Sequence, residues 1–146
     1  MRGYLIIVVA VASFSAVQAR AADDLAQALR GVLEANDAAV TKGDVDAMSR
    51  TLHSQSPVYA KTRNAMKDWP FKLKTEILSF KVIGEDGDFA FARARVKTTK
   101  LSGPEFQDNV TDEVHAFRKD GADWKIWASM PLTVTFLEPD GAAIPR

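Results

Sequence analysis

The chain has 146 residues, 47% of them hydrophobic and 26% charged, with no cysteine. That composition excludes a disordered tail, a collagen-like repeat and a disulfide scaffold, and fits one ordinary globular domain. The 19 Lys and Arg balance the 19 Asp and Glu, giving a formal net charge of +0, so no nucleic-acid surface is expected.

The first segment reads as a secretory signal peptide rather than as part of that domain. Arg2 supplies a positive start, Tyr4 to Phe14 is an uncharged apolar run, and Ala19-Arg20-Ala21 is a small-x-small site. Cleavage is expected after Ala21, or after Ala19 at Val17-Gln18-Ala19. The uncharged stretch from Gly3 to Val17 is shorter than the roughly 20 apolar residues of a spanning helix, so no stable membrane anchor is expected after processing. Without cysteine there is no lipid attachment residue either. A periplasmic or secreted protein follows. Removing residues 1–21 takes away Arg2 and Arg20 and leaves 17 basic against 19 acidic residues, a formal charge of −2.

From Asp23 the apolar period is helical. Leu25, Ala28, Leu29, Val32, Leu33, Asn36, Ala39 and Val40 follow the i, i+3, i+4, i+7 template, with Asp23 or Asp24 as N-cap and Lys42-Gly43 as the stop. Asp44 then caps a second helix with the stripe Val45, Met48 and Leu52, so Gly43-Asp44 is a tight corner. After Pro57, Val58-Tyr59-Ala60 reads as a short strand, Thr62 to Asp68 as a short helix or loop, and Trp69-Pro70 as a break. From Phe71 to Leu137 the chain is mostly strand. Turn signals at Gly84-Glu85-Asp86-Gly87 and Asp120-Gly121, with a loop at Ser102-Gly103-Pro104, divide it into about four long antiparallel strands. Glu138 to Arg146 reads as a flexible tail after a domain over residues 22–137.

Helices followed by a strand meander predict an α+β domain with the helices on one face of a curved sheet. On the second strand Phe89, Phe91, Arg93 and Arg95 share one face, and Ala90, Ala92, Ala94 and Val96 the other. On the last, Trp124, Ile126, Ala128 and Met130 alternate with Lys125, Trp127 and Ser129. Aromatic residues on both faces predict that the outer face is partly covered, by a second copy of the chain or by its own long side chains.

The helix, Gly-Asp, helix opening from Leu33 to Met48 resembles that of the nuclear transport factor 2-like and SnoaL-like proteins. So does the closing hairpin from Val114 to Trp127, with its Trp124-Lys125-Ile126. With the hairpin about Gly87, the resemblance covers nearly all of Asp23 to Leu137. It implies a cone, a cystatin-like α+β roll in which a strongly curved antiparallel sheet wraps the N-terminal helices around a pocket, often dimeric through the sheet's outer face. The superfamily includes ketosteroid isomerases, scytalone dehydratases and polyketide cyclases. In the isomerases a tyrosine on the first helix stands eight residues before the Gly-Asp aspartate, where this chain has Asn36. Their basic carboxylate falls where this chain reads Pro57-Val58-Tyr59-Ala60, so the isomerase mechanism is not carried over.

Pocket candidates follow from the pattern. Asn36 is an amide on an apolar stripe and requires partners in the protein or in a ligand. His115 shares a face with Phe117 and therefore points inward, as a candidate catalytic acid or base with Glu113 as its partner on that face. Tyr59, Trp69 and Trp127 are candidates for the mouth of a pocket for an apolar ligand. His53, at the end of the second helix, is expected on its terminal carbonyls. Two histidines 62 residues apart without cysteine give no metal spacing, and no glycine-rich phosphate loop is present, so neither metal nor cofactor is expected. Neither a Gly-x-Ser-x-Gly elbow nor a cysteine nucleophile points to acyl transfer. The leading expectation is an exported protein binding a small apolar molecule. The alternatives are a cofactor-independent isomerase, lyase or cyclase acting on a small apolar carbonyl compound with His115 as base, and an interaction module using the outer sheet face.

Overall fold

Helix-forming residues run unbroken from the apolar N-terminal run into the amphipathic stripe. Accordingly α1 spans Val8–Lys42 in the computed structural model, which describes residues 8–144 and their side chains from residue 18 onward. Arg2 and the first residues of the apolar run lie outside the described residues. Asp23 and Asp24 sit inside α1 and cap nothing, because Ala19, Ala21 and Ala22, the best helix formers, carry the turns past them. Residues 18–24 are exposed, Leu25 is the first of the described side chains to be partly covered, and Leu29 and Leu33 are buried. Among the described residues no helix is long and apolar enough to cross a membrane.

The corner forms as its residues dictate. Gly43 ends α1 at φ +71°, a conformation that only glycine adopts freely, and Asp44 starts α2 (Val45–Thr51) by accepting the Ala47 N–H at 2.8 Å. The segment after Pro57 departs from the expected strand and forms α3 (Tyr59–Lys67). Ser56 accepts the Val58 N–H on its hydroxyl and the Tyr59 N–H on its carbonyl, which starts a turn. Ala60, Lys61, Arg63, Ala65, Met66 and Lys67 then favour helix strongly enough to outweigh the β preference of Val58 and Tyr59.

Four strands follow as an antiparallel meander in chain order: β1 (Lys72–Asp86), β2 (Phe89–Ser102), β3 (Asn109–Asp120) and β4 (Asp123–Phe136). The alanine face of β2 is the inner one. Ala90, Ala92 and Ala94 are at most 1% exposed, and with Val96, Phe117 and Ile126 they meet Leu29 and Leu33 of α1. Methyl-sized side chains in the middle of the sheet leave room for Leu29 and Leu33, while the outer strands β1 and β4 come nearest to α1. Bulges bend the sheet: Leu78 and Ile83 are skipped in the β1–β2 register, and Trp127 and Leu132 in the β3–β4 register. The result is the expected α+β roll, a curved antiparallel sheet wrapped on the N-terminal helices.

One bulge corrects the reading of β4. Because Trp127 is the extra residue, the alternation flips there: Ile126 faces inward opposite Phe117, Ser129 pairs with His115, and Met130 turns out to 59% exposure. The α2 exit also differs from expectation. His53 does not bind the α2 carbonyls: the chain leaves α2 extended, Leu52 bridges Ile126 in parallel, and the His53 ring lies 3.3 Å from the Lys119 carbonyl and accepts the Gln55 N–H at 3.1 Å. Residues 138–144 fold back along the end of β4. Leu137 pairs with Ala143, and the Ile144 N–H donates to the Phe136 carbonyl at 2.9 Å, because Asp140 and Gly141 make a turn that returns the chain to β4.

Candidate functional site

Where the sheet curls away from α1, the inner face and the helices enclose a cavity of about 570 Å³. Its floor is apolar, from Leu33, Val40, Met48 and Ile126, and α3 forms one wall. The α3 stripe Val58, Lys61, Thr62, Ala65, Met66 and Trp69 faces the cavity at helical spacing. All nine residues of α3 remain at least partly exposed.

The polar groups come together at one side. β3 places Glu113, His115 and Phe117 on the inner face two residues apart. His115 is 2% exposed; its Nδ1 lies 2.8 Å from Ser129 Oγ, and its Nε2 3.1 Å from Glu113 Oε1. Asp37 enters from α1. Burial pushes its carboxyl up to about 6, a rise opposed by the hydrogen bond from Thr75, reinforced by the charge of Glu113 and opposed again by His115. Asn36, beside it, donates from Nδ2 to Thr51 Oγ1 at 2.7 Å, which ties α1 to α2 at the cavity wall. Of the partners the sequence left open, protein or ligand, the structure supplies one in the protein, in the last turn of α2, because Gly43 folds that helix back against α1.

Of the six residues expected at the pocket, Asn36, Trp69, Glu113, His115 and Trp127 line this cavity. Tyr59 does not. On a helix, residues 59 and 63 lie on another face from residues 58, 62 and 66, so Tyr59 joins Asp46, Arg63 and Asp120 in a separate depression between α2 and the β3–β4 turn. Trp127 lines the cavity from its bulge while its ring packs at 5.2 Å on His53 and 5.6 Å on Phe89, under the Arg118 guanidinium at 4.9 Å. Asp37, Lys61 and Ser129 belong to the site and were not singled out. Asp37 had a signal, four residues after Leu33 on the inward stripe; Lys61 fell between the strand reading of residues 58–60 and the helix or loop reading from Thr62, and Ser129 was hidden by the bulge.

The titratable cluster and its apolar floor together describe a site that takes a largely apolar molecule and offers it two carboxylates, an imidazole and a hydroxyl. Its chemistry is therefore hydrogen bonding and proton transfer at one end of an otherwise greasy chamber.

No curated protein matches this sequence. Solved structures share the fold at low identity. A candidate aromatic ring hydroxylase from Novosphingobium aromaticivorans is 17% identical over 75% of this chain and 91% of that chain, with a TM-score of 0.62. An NTF2-like protein of unknown function from Pseudomonas putida KT2440 is 14% identical over 84% of this chain and 94% of that one, at 0.60. A candidate scytalone dehydratase from Novosphingobium aromaticivorans DSM 12444 is 11% identical over 80% and 89%, at 0.58. These likenesses speak for an NTF2-like fold. The family profile described as anti-sigma-I factor RsgI9, C-terminal domain, matches residues 31–137, and the chain belongs to that family.

Proposed function

We propose that the protein is exported and binds a small, largely apolar molecule in the cavity between α1, α3 and the sheet. The observation that carries this reading is the chamber of about 570 Å³, apolar at its floor and polar at one side. Export is supported by the leader pattern: the positive Arg2, the uncharged apolar run and the small-x-small site at Ala19-Arg20-Ala21. The family takes its name from a domain of an anti-sigma factor, a regulatory protein, which supports a role in which occupancy itself carries information.

The test is saturable binding of N-phenyl-1-naphthylamine, a neutral dye that brightens when buried. One equivalent is expected to bind and to raise the melting temperature with dye concentration. Ala65→Trp, which fills the cavity from an exposed position on α3, is expected to abolish both signals and leave the fold stable. Equal dye binding by the two proteins would place the dye elsewhere and overturn the reading.

Proton transfer on a bound carbonyl compound is a second reading. Asp37, half-protonated near pH 6, and His115, backed by Glu113, supply a donor and an acceptor in one chamber. For the outer sheet face we propose a homodimer contact. Met130 and Leu132 are 59% and 46% exposed there and on the adjoining bulge, beside the Arg93–Asp112 ion pair. Sedimentation velocity is expected to show a dimer that Met130→Asp converts to monomer; a monomeric unaltered chain would refute it.

A further inference from the structure

The hydrogen-bond relay on the sheet side of the cavity has a direction. The Glu113 carboxyl oxygen can only accept at the 3.1 Å contact with His115 Nε2 when the ring carries its hydrogen there, which assigns the ring N–H to that nitrogen. Nδ1 is left with a lone pair, and what it meets at 2.8 Å is the Ser129 hydroxyl, its cross-strand partner. The ring is 2% exposed and is hydrogen-bonded at both nitrogens, so its orientation is fixed. Ser129 is exposed and lines the cavity. A reachable hydroxyl, a base on its proton and a carboxylate orienting the base are the parts of an activated nucleophile, here assembled across a β-ladder instead of at a strand-to-helix elbow.

We propose that Ser129, His115 and Glu113 form a nucleophilic relay and that the cavity hydrolyses small carboxylic esters with apolar acyl groups. The inference rests on the cavity taking a small apolar molecule, as proposed above. Ser129 Oγ forms a bond to the ester carbonyl carbon while its proton passes to His115 Nδ1, and the imidazolium is stabilised by Glu113 through Nε2–H. The ester C–O bond breaks, the alcohol leaves with the proton from Nδ1, and Ser129 carries the acyl group. Water, deprotonated by the same nitrogen, then attacks the acyl carbon; the carboxylic acid departs and Oγ recovers its proton. Charge developing on the carbonyl oxygen can be met from the same chamber, by the Lys61 ammonium or by the second amide hydrogen of Asn36, both on its helical wall.

The experiment treats the purified protein with a fluorophosphonate probe, maps the labelled peptide by mass spectrometry, and follows p-nitrophenyl butyrate hydrolysis in parallel. One equivalent of label on Ser129 is expected. Ser129→Ala, at an exposed position, is expected to keep the melting temperature, lose the label and lower turnover roughly 100-fold or more. Glu113→Gln is expected to retain Ser129 yet lower turnover and move the acidic limb of its pH profile, which a merely structural carboxylate would not do. No label, label on another residue, or unchanged turnover in Ser129→Ala overturns the proposal. If the naphthylamine dye still binds in that case, the hydrolase assignment alone falls; if neither reagent binds, the cavity reading falls with it.

Discussion

Replacing Phe117 by alanine will lower the unfolding free energy by about 3–5 kcal/mol, the cost of removing a large ring from a site that cannot collapse. The ring is 0% exposed and stands opposite Ala90 on one side of its strand and Ile126 on the other, within the cluster that seats Leu29 and Leu33 of α1. Its neighbours there include methyl-sized alanines fixed in the sheet, so little side-chain mass is available to fill the hole. Urea unfolding followed by circular dichroism reads the effect as a fall in midpoint at nearly constant slope. A loss under about 1 kcal/mol would mean that the Phe117 ring does not fill the core between the sheet and α1.

Replacing Asp37 by asparagine will stabilise the protein, and the gain will depend on pH. The Asp37 carboxyl is held at about 6 in the folded chain against 3.8 for a freely solvated aspartate, so the folded state binds the proton more tightly than the unfolded state. With that sign, wild-type stability is highest below about pH 4, declines as pH rises through about 6, and is flat above it. A rise of this size corresponds to an upper limit of roughly 3 kcal/mol at pH 8, reduced by solvent reaching a half-buried group. Asparagine carries no charge and can still accept the Thr75 hydroxyl, so Asp37→Asn is expected to raise the melting temperature at pH 8 and leave it unchanged near pH 4. Thermal unfolding at both pH values decides it: an equal shift at each would show that charge burial is not the cause.

The features legible from sequence were those set by local periodicity. The α1 stripe, the Gly43-Asp44 corner, the strand meander and the inward side of β3 each follow from a spacing of 3.6 or 2 residues or from one special backbone angle, and the structure carries all of them. His115 and Glu113 were reachable because parity with Phe117 holds along β3, whose own residues are paired without a skip on the β2 side. Ser129 was not reachable, because parity along β4 breaks at Trp127, and a bulge leaves no mark in an alternating pattern except an aromatic residue on the unexpected face. Tyr59 was misplaced for a related reason: the β preference of Val58 and Tyr59 outvoted a turn started by one serine hydroxyl, and the change from strand to helix moved the whole α3 wall. Where the tertiary fold chose between two local options, composition carried no vote.

The skipped residues of β1 also bear on how the chain avoids its own copies. β1 is an outermost strand, and an uninterrupted row of free amides and carbonyls there would invite ribbon-to-ribbon stacking and fibrils. Leu78 and Ile83 interrupt that row by twisting it out of register, and exposed Lys72, Lys74, Glu76 and Lys81 set charge along the same margin. The bends that curve the sheet thus also make this border a poor template for polymerisation.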